Sequence, residues 1–325
     1  MTRFLTLIFL IGLLLAGYIG YYLSQPLPLT NTALEFSLRP GSSAKSAAKQ
    51  LQQAGVIHQA AMFAWMVRLS GKSGQIKAGK YTLNRAVTPS QLLDMITKGT
   101  VTQAAVSVIE GWTFNQFRAA LNASPDLAHD TLNMTGEEIL QRIGATETQP
   151  EGLFFPDTYY FSVGSSDVPI FKRAYQIMQQ RLQEAWLTRD PDLPLKTPYQ
   201  ALILASIVEK ETGTASDRDK VAAVFVNRLR KGMLLQTDPT VIYGMGDKFD
   251  GNLRKRDLIT DSPYNTYMRV GLTPTPISLP GLASLQSALH PAPIEALYFV
   301  ARGDGSSEFS SNLTAHNNAV NRYQK

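Results

Sequence analysis

Residues 4–23, FLTLIFLIGLLLAGYIGYYL, form a run of twenty residues without a charge. At 1.5 Å per residue such a helix spans ~30 Å, about the hydrocarbon thickness of a bilayer. Tyr18, Tyr21 and Tyr22 cluster at its far end, where amphipathic rings favour the membrane interface. Arg3 precedes the run and no basic residue follows before Arg39. That bias predicts a single-pass membrane protein with its N-terminus in the cytoplasm and the bulk of the chain exported, in a bacterium to the periplasm or the cell-wall space. A cleaved signal peptide is the alternative, but its apolar core usually spans ~7–15 residues and ends at a small-x-small site. Here the longer run passes into Leu23-Ser24-Gln25-Pro26 without an Ala-x-Ala signal.

Outside the cytoplasm ATP is not at hand, and Gly71-Lys72-Ser73 lacks the upstream glycine of a P-loop (Met66 stands there). The chain contains no cysteine, which excludes disulfides, thiolate metal sites and a thiol nucleophile. The four histidines, His58, His129, His290 and His316, include no pair at zinc-binding spacing. No metal or cofactor is expected.

The net charge of +5 is unevenly placed. Residues 35–100 carry nine Lys/Arg against two acids, whereas 101–325 carry 21 basic and 24 acidic residues. The asymmetry points to an anionic surface near the first of these regions. The expected organisation is a cytoplasmic tip and anchor (1–23), a linker (24–34), an α+β module (35–103) and an α+β domain (104–325). In the module, Leu34–Leu38 alternates like a strand, Pro40-Gly41-Ser42-Ser43 turns into a helix, and Lys77–Leu83 reads as a second strand. The strand–Pro-Gly-Ser–helix opening, the Gly55-Val56-Ile57 close and Ala78-Gly79-x-Tyr81 resemble a LysM-like wall-binding module. An ordinary small domain with a solvated basic face is the alternative.

Residues 197–213, TPYQALILASIVEKETG, carry the chemistry. Thr197 can cap a helix, Pro198 suits its first position and Gly213 its end. The helix is apolar almost all round, so it should lie inside a domain. At 100° per residue Glu211 shares a face with Ala201, Leu204, Ile207 and Val208, while Glu209 falls about 160° away. Burial and the negative helix end both raise the pKa of a carboxyl at 211, as a general acid needs. A half-solvated glutamate at a frayed helix end is the alternative, and Glu209 is the competitor. The loops that follow are rich in Gln, Asn, Thr and Tyr and lean in Lys/Arg. They suit a sugar chain and not a nucleic acid.

Several motifs together resemble the endolytic murein transglycosylase family (MltG, YceG-like). They are Glu110-Gly111, Glu151-Gly152 with Phe155-Pro156-Asp157-Thr158-Tyr159, Ala205-Ser206-Ile207-Val208-Glu209-Lys210-Glu211-Thr212, Asn227-Arg228-Leu229, Leu235-Gln236-Thr237-Asp238-Pro239-Thr240-Val241-Ile242-Tyr243-Gly244, Tyr264-Asn265-Thr266-Tyr267, and Asn312 to His316. The resemblance covers nearly the whole chain. It implies an endolytic lytic transglycosylase that cuts nascent peptidoglycan near the inner membrane, with wall synthases as partners and the catalytic role on Glu211. Gln236, Asp238, Thr240, Tyr243, Tyr264, Asn265, Asn312 and His316 are then candidates for binding the glycan. Asp238 is either a second carboxylate or a turn residue before Pro239, and His316 either a catalyst or a helix-start hydrogen-bonding group. Arg218 would hold a peptide-stem carboxylate or pair with Asp217 or Asp219. Two rival functions remain: a hydrolytic muramidase, and a non-catalytic wall-binding scaffold.

Overall fold

The computed structural model describes residues 10, 17–18, 20–27, 34–83, 85–99, 102–211 and 214–324. Most of the apolar run at 4–23 and the helix-ending Gly213 lie outside the described residues. Among those described, no helix is long and apolar enough to cross a membrane. The fold is α+β, with short two-stranded sheets among many helices, and it divides into two compact units.

The first unit comprises residues 1–105 with 125–128 and 160–166. Strands β1 (Leu34–Leu38) and β2 (Gly79–Leu83) pair antiparallel, Phe36 opposite Tyr81, and these two rings stack at 5.2 Å. Ser43 caps α1 (Ala44–Gln53), which turns Ala44, Ala47, Ala48 and Leu51 inward. Helix α2 (Ala60–Leu69) adds Phe63, Ala64 and Val67. Helix α3 (Pro89–Lys98) opens on a Thr88–Gln91 capping box and stops at Gly99, whose φ of 77° a side chain would resist. Leu27, in the segment read as linker, is buried in this core, and its N–H donates to the Val87 carbonyl at 2.8 Å. Residues 24–27 therefore lead straight into the unit, because a buried leucine is worth roughly 1.5–3 kcal/mol over an exposed one.

Strand β3 (Gln103–Ser107) pairs with β5 (Thr158–Ser162), and the short β4 (Leu127–Ala128) lies parallel to β6 (Ser165–Ser166).

The second unit comprises 106–124, 129–159 and 167–325. Helices α4 (Phe114–Asn122) and α5 (Gly136–Ile143) both open on capping boxes, from Thr113 and Thr135. Phe114, Phe117, Phe154 and Phe171 form an aromatic cluster on α6 (Val168–Leu187), with ring centroids 5.0–6.1 Å apart. At the centre lies α7 (Pro198–Glu211), held at its start by the Gln200 N–H donating to Thr197 Oγ1 at 3.2 Å. Every residue of α7 from Ala201 to Val208 is buried, as its unbroken apolar sequence requires. It packs against α6, α8 (Arg218–Arg230), α9 (Asp238–Met245) and α11 (Leu282–Leu289), the short α10 (Lys255–Leu258) falling between the last two in sequence. Ser206 Oγ accepts from the Ile277 N–H at 3.0 Å and Ser278 Oγ donates to the Ser206 carbonyl at 3.1 Å, so an irregular segment grips the middle of α7. A hairpin of β7 (Tyr298–Ala301) and β8 (Ser307–Ser310) and helix α12 (Leu313–Tyr323) complete the unit.

Candidate active site

Glu211 is the last residue of α7. It is half-buried, and its Oε1 accepts a short hydrogen bond from Thr237 Oγ1. Burial raises its pKa, the neighbouring Asp238 charge raises it further, and the Thr237 hydroxyl opposes both. The hydroxyl is well held. The Thr237 N–H donates to Thr266 Oγ1 at 3.1 Å, and its carbonyl accepts from Thr240 Oγ1 at 2.7 Å. Thr240 Oγ1 and Thr266 Oγ1 lie 2.8 Å apart, which closes a buried cluster of three threonines.

Glu211 opens onto a cleft of about 450 Å³, shared with Gln236, Asp238, Tyr267, Tyr298 and His316. Gln236 has φ 51°, a left-handed conformation that costs a non-glycine residue roughly 1–2 kcal/mol. Its N–H donates to the Thr266 carbonyl at 3.1 Å, which helps hold it there. Asp238 stands at the head of a helix and at the edge of the cleft. It begins α9 ahead of Pro239, where the helix dipole favours an anion, and its exposed carboxylate lines the cleft. The Tyr267 hydroxyl donates to it at 2.5 Å.

The far wall is a stack. His316 lies on Tyr298 with ring centroids 5.1 Å apart, and the Arg228 guanidinium sits 5.1 Å from the same tyrosine ring. Burial, and then the Arg228 charge, push the His316 pKa down, so its imidazole is neutral at neutral pH. It is a half-buried wall residue in the first turn of α12, and its Nδ1 has no hydrogen-bond partner among the described residues. Arg228 is itself 7% exposed. It donates to the carbonyls of Leu297 (2.7 Å), Leu235 (2.9 Å) and Leu234 (3.2 Å) and to Gln236 Oε1 (3.3 Å).

The other candidates lie elsewhere. Thr240 is fully buried in the threonine cluster. Asn265, 1% exposed, donates to the carbonyls of Asp257, Leu258 and Thr260 and accepts from the Tyr267 N–H. Both hold the loops under the cleft and present no free polar atom to a ligand. Asn312 caps α12 through the Ala315 N–H at 2.9 Å. Tyr243 and Tyr264 pack together, with centroids 5.0 Å apart, at a different carboxyl.

That carboxyl is Glu151. It is 7% exposed, accepts from the Phe114 N–H at 2.9 Å and from the Tyr243 hydroxyl at 3.2 Å, and burial pushes its pKa up to about 7. The sequence places it in the Glu151-Gly152 motif but gives it no role in the site, although an acid directly before Gly152-Leu153-Phe154-Phe155 was the available signal. Thr237, Tyr267 and Arg228 likewise stand in quoted motifs without a role.

Glu209 turns away from the cleft. Its Oε2 accepts from the Gly281 N–H at 2.9 Å. Glu110 crowds the same glycine, where an added Cβ would fall 1.9 Å from its Oε1. The expected pairing of Arg218 with a flanking aspartate is corrected. Asp217 accepts from Lys220 at 3.4 Å and from the Ser307 N–H at 2.6 Å, and Asp219 from Ser287 Oγ at 2.5 Å. Arg218 makes no ion pair among the described residues. Its buried Nε has no partner among the described residues, and it lines a separate cavity of about 630 Å³ with Arg181 and His290.

The sequence matches the model of the YceG-like family over residues 36–322. The chain belongs to the YceG-like family. Among relatives, an endolytic murein transglycosylase of Bacillus subtilis is 32% identical, over 90% of this chain and 86% of its own. Endolytic murein transglycosylases of two Streptococcus pneumoniae strains are 27% identical over 97% of this chain. The chain spans only 63% of the length of those two. A crystal structure of a yceG-like protein from Listeria monocytogenes superposes with a TM-score of 0.54 at 29% identity, covering 88% of this chain and 98% of that one. The YceG-like match takes in Glu211 and every residue of the cleft.

Proposed function

We propose that this chain is an endolytic lytic transglycosylase of peptidoglycan, with Glu211 as its single acid and base. The observation that carries the proposal is a carboxyl with a raised pKa, hydrogen-bonded to Thr237 and opening onto a cleft walled by Tyr267, Tyr298, Gln236 and His316 with Asp238 at its side. Protonated Glu211 gives its proton to the oxygen between N-acetylmuramic acid and N-acetylglucosamine as the bond from C1 breaks. The carboxylate left behind takes the proton of the muramic C6 hydroxyl, and O6 closes on C1. The products are a free hydroxyl on one strand and a 1,6-anhydro end on the other. No water is consumed, and Glu211 ends as it began. The Asp238 carboxylate, held by Tyr267, faces the same cleft and offsets the positive charge that develops at C1.

Cutting within nascent strands makes the enzyme a terminator of glycan elongation beside the wall synthases. This reading places residues 4–23 in the inner membrane as a single-pass anchor, with the catalytic domain in the periplasm and the first unit as a LysM-like module. Glu211→Gln tests the chemistry. It should lower cleavage of purified peptidoglycan by about 10²–10⁴-fold; cleavage at the wild-type rate would leave a non-catalytic scaffold.

A second carboxylate in the cleft, Asp238, favours the rival hydrolytic muramidase, since hydrolases of this kind use two. Mass spectrometry of the product ends separates the two, because anhydro ends are one water lighter than reducing ends. Reducing ends alone would establish hydrolysis.

A further inference from the structure

Helix α2 is apolar on two faces. Phe63, Ala64 and Val67 are buried in the first unit, while Trp65 is 60% and Leu69 76% exposed on the opposite side. Half-buried Met62 extends that outer face, while Met66 packs against the core. A surface helix usually turns polar residues to water. The single charge on α2, Arg68, sits over the Trp65 ring with its guanidinium 5.7 Å from the centroid.

The surroundings are cationic. Lys45 and Lys49 of α1 flank the trough that Met62 lines. Both acids of residues 35–100 are already in ion pairs, Glu35 with Lys80 and Asp94 with Lys72 and Lys98. Arg39, Lys45, Lys49, Arg68, Lys77 and Arg85 have no carboxylate partner among the described residues. An exposed tryptophan and leucine amid unpaired cations are the parts of a helix that lies in a headgroup layer.

The chain from the apolar run arrives at the same end of the unit. Ser90 Oγ, in the first turn of α3, donates to the Leu23 carbonyl at 3.4 Å, and Leu27 is buried. One helical turn along α3, Asp94 pairs at 2.6 Å with Lys72, which lies just beyond Leu69. The exposed end of α2 is thus tied to the place where residues 20–23 leave the unit.

We infer that the Trp65–Leu69 face of α2 docks on the membrane surface, with the two apolar side chains among anionic phospholipid headgroups. The inference rests on the reading of 4–23 as an anchor. That reading brings the unit to the lipid; the docking face fixes which side of the unit meets it.

The test uses the full-length chain, which has no cysteine of its own. Leu69→Cys and, as a control, Gln53→Cys on an exposed position of α1 are each labelled with a nitrobenzoxadiazole probe. The proteins are reconstituted in nanodiscs of phosphatidylglycerol and phosphatidylethanolamine. At 69 the emission should shift to the blue, be quenched by brominated lipid and be shielded from iodide; at 53 it should show none of these. In discs of phosphatidylcholine alone the shift at 69 should shrink. A probe at 69 as open to iodide as the one at 53 overturns the docking and leaves the anchor standing. Shielding that appears only when glycan strands are added overturns it in favour of the wall polymer. A chain that does not enter the discs at all overturns the anchor, and the docking with it.

Discussion

Thr237→Val isolates the contribution of one hydroxyl to the acid. The substitution keeps the branched shape of a residue 1% exposed, and both backbone hydrogen bonds of Thr237 survive it. What is lost is the bond from Oγ1 to Glu211. A hydrogen bond to a charged group contributes about 1.5–3 kcal/mol and one to a neutral group about 0.5–1.5. The difference, on the order of 1 kcal/mol, is the preference of Thr237 for the ionised carboxylate, and it corresponds to a little under one pKa unit. Because the bond favours the charged form, its removal raises the Glu211 pKa above its already elevated position. Glu211 must start protonated, so activity falls as pH rises through that pKa. In the valine variant the falling limb should move to higher pH by roughly 0.5–1 unit, with a lower plateau, because the carboxyl is less firmly aimed. The assay is release of anhydro-ended fragments from purified peptidoglycan, followed across pH at constant ionic strength as kcat/KM. Thr237→Ser keeps the hydroxyl and should restore the wild-type limb. A limb that stays in place or moves to lower pH in a folded Thr237→Val protein refutes the reasoning.

Glu151 links folding to pH. Its pKa rises from 4.5 in the unfolded chain to about 7 in the fold, so the native state holds the extra proton. Stability should therefore fall as pH rises from 4.5 to about 7 and level off above, losing about 3 kcal/mol across that window. Urea unfolding at pH 5 and pH 8 should show the loss in the wild type and its absence in Glu151→Gln. Asn265→Ala strands three part-buried carbonyls and should cost about 1–3 kcal/mol, read as a lower urea midpoint. Asn312→Ala removes the cap of α12 and should cost about 1 kcal/mol, with a raised KM, because that helix carries His316.

Helices α1 and α7 were legible from their starts, at Ser43 and at Thr197-Pro198. Thr88, Thr113 and Thr135, each followed three residues later by Gln or Glu, open helices by a local mechanism that a reader can see. The separation of Glu209 from Glu211 was legible too, because it depends only on helical geometry. What escaped depends on residues far apart in sequence. Thr237 meets Glu211 across 26 positions and Glu151 meets Tyr243 across 92, and no periodicity reports such meetings. Thr240 and Asn265 misled for a different reason. Polar residues are exposed by default, and only the fold reveals that these two are consumed by backbone groups. Leu27 shows the converse, a single apolar residue in a proline-marked stretch that the core takes up.

The cleft is assembled from pieces made at different times. Glu211 sits on one wall, while Tyr298 and His316 on the other come about a hundred residues later. At a synthesis rate of ~5–20 residues per second, that interval is about 5–20 s. During it the acid exists without the surface that would hold a glycan against it. Arg228 joins the two stages, donating to the Leu235 carbonyl beside Gln236 and to the Leu297 carbonyl made later. An incompletely made chain therefore lacks the surface that would hold a glycan, and the cleft is complete only with α12.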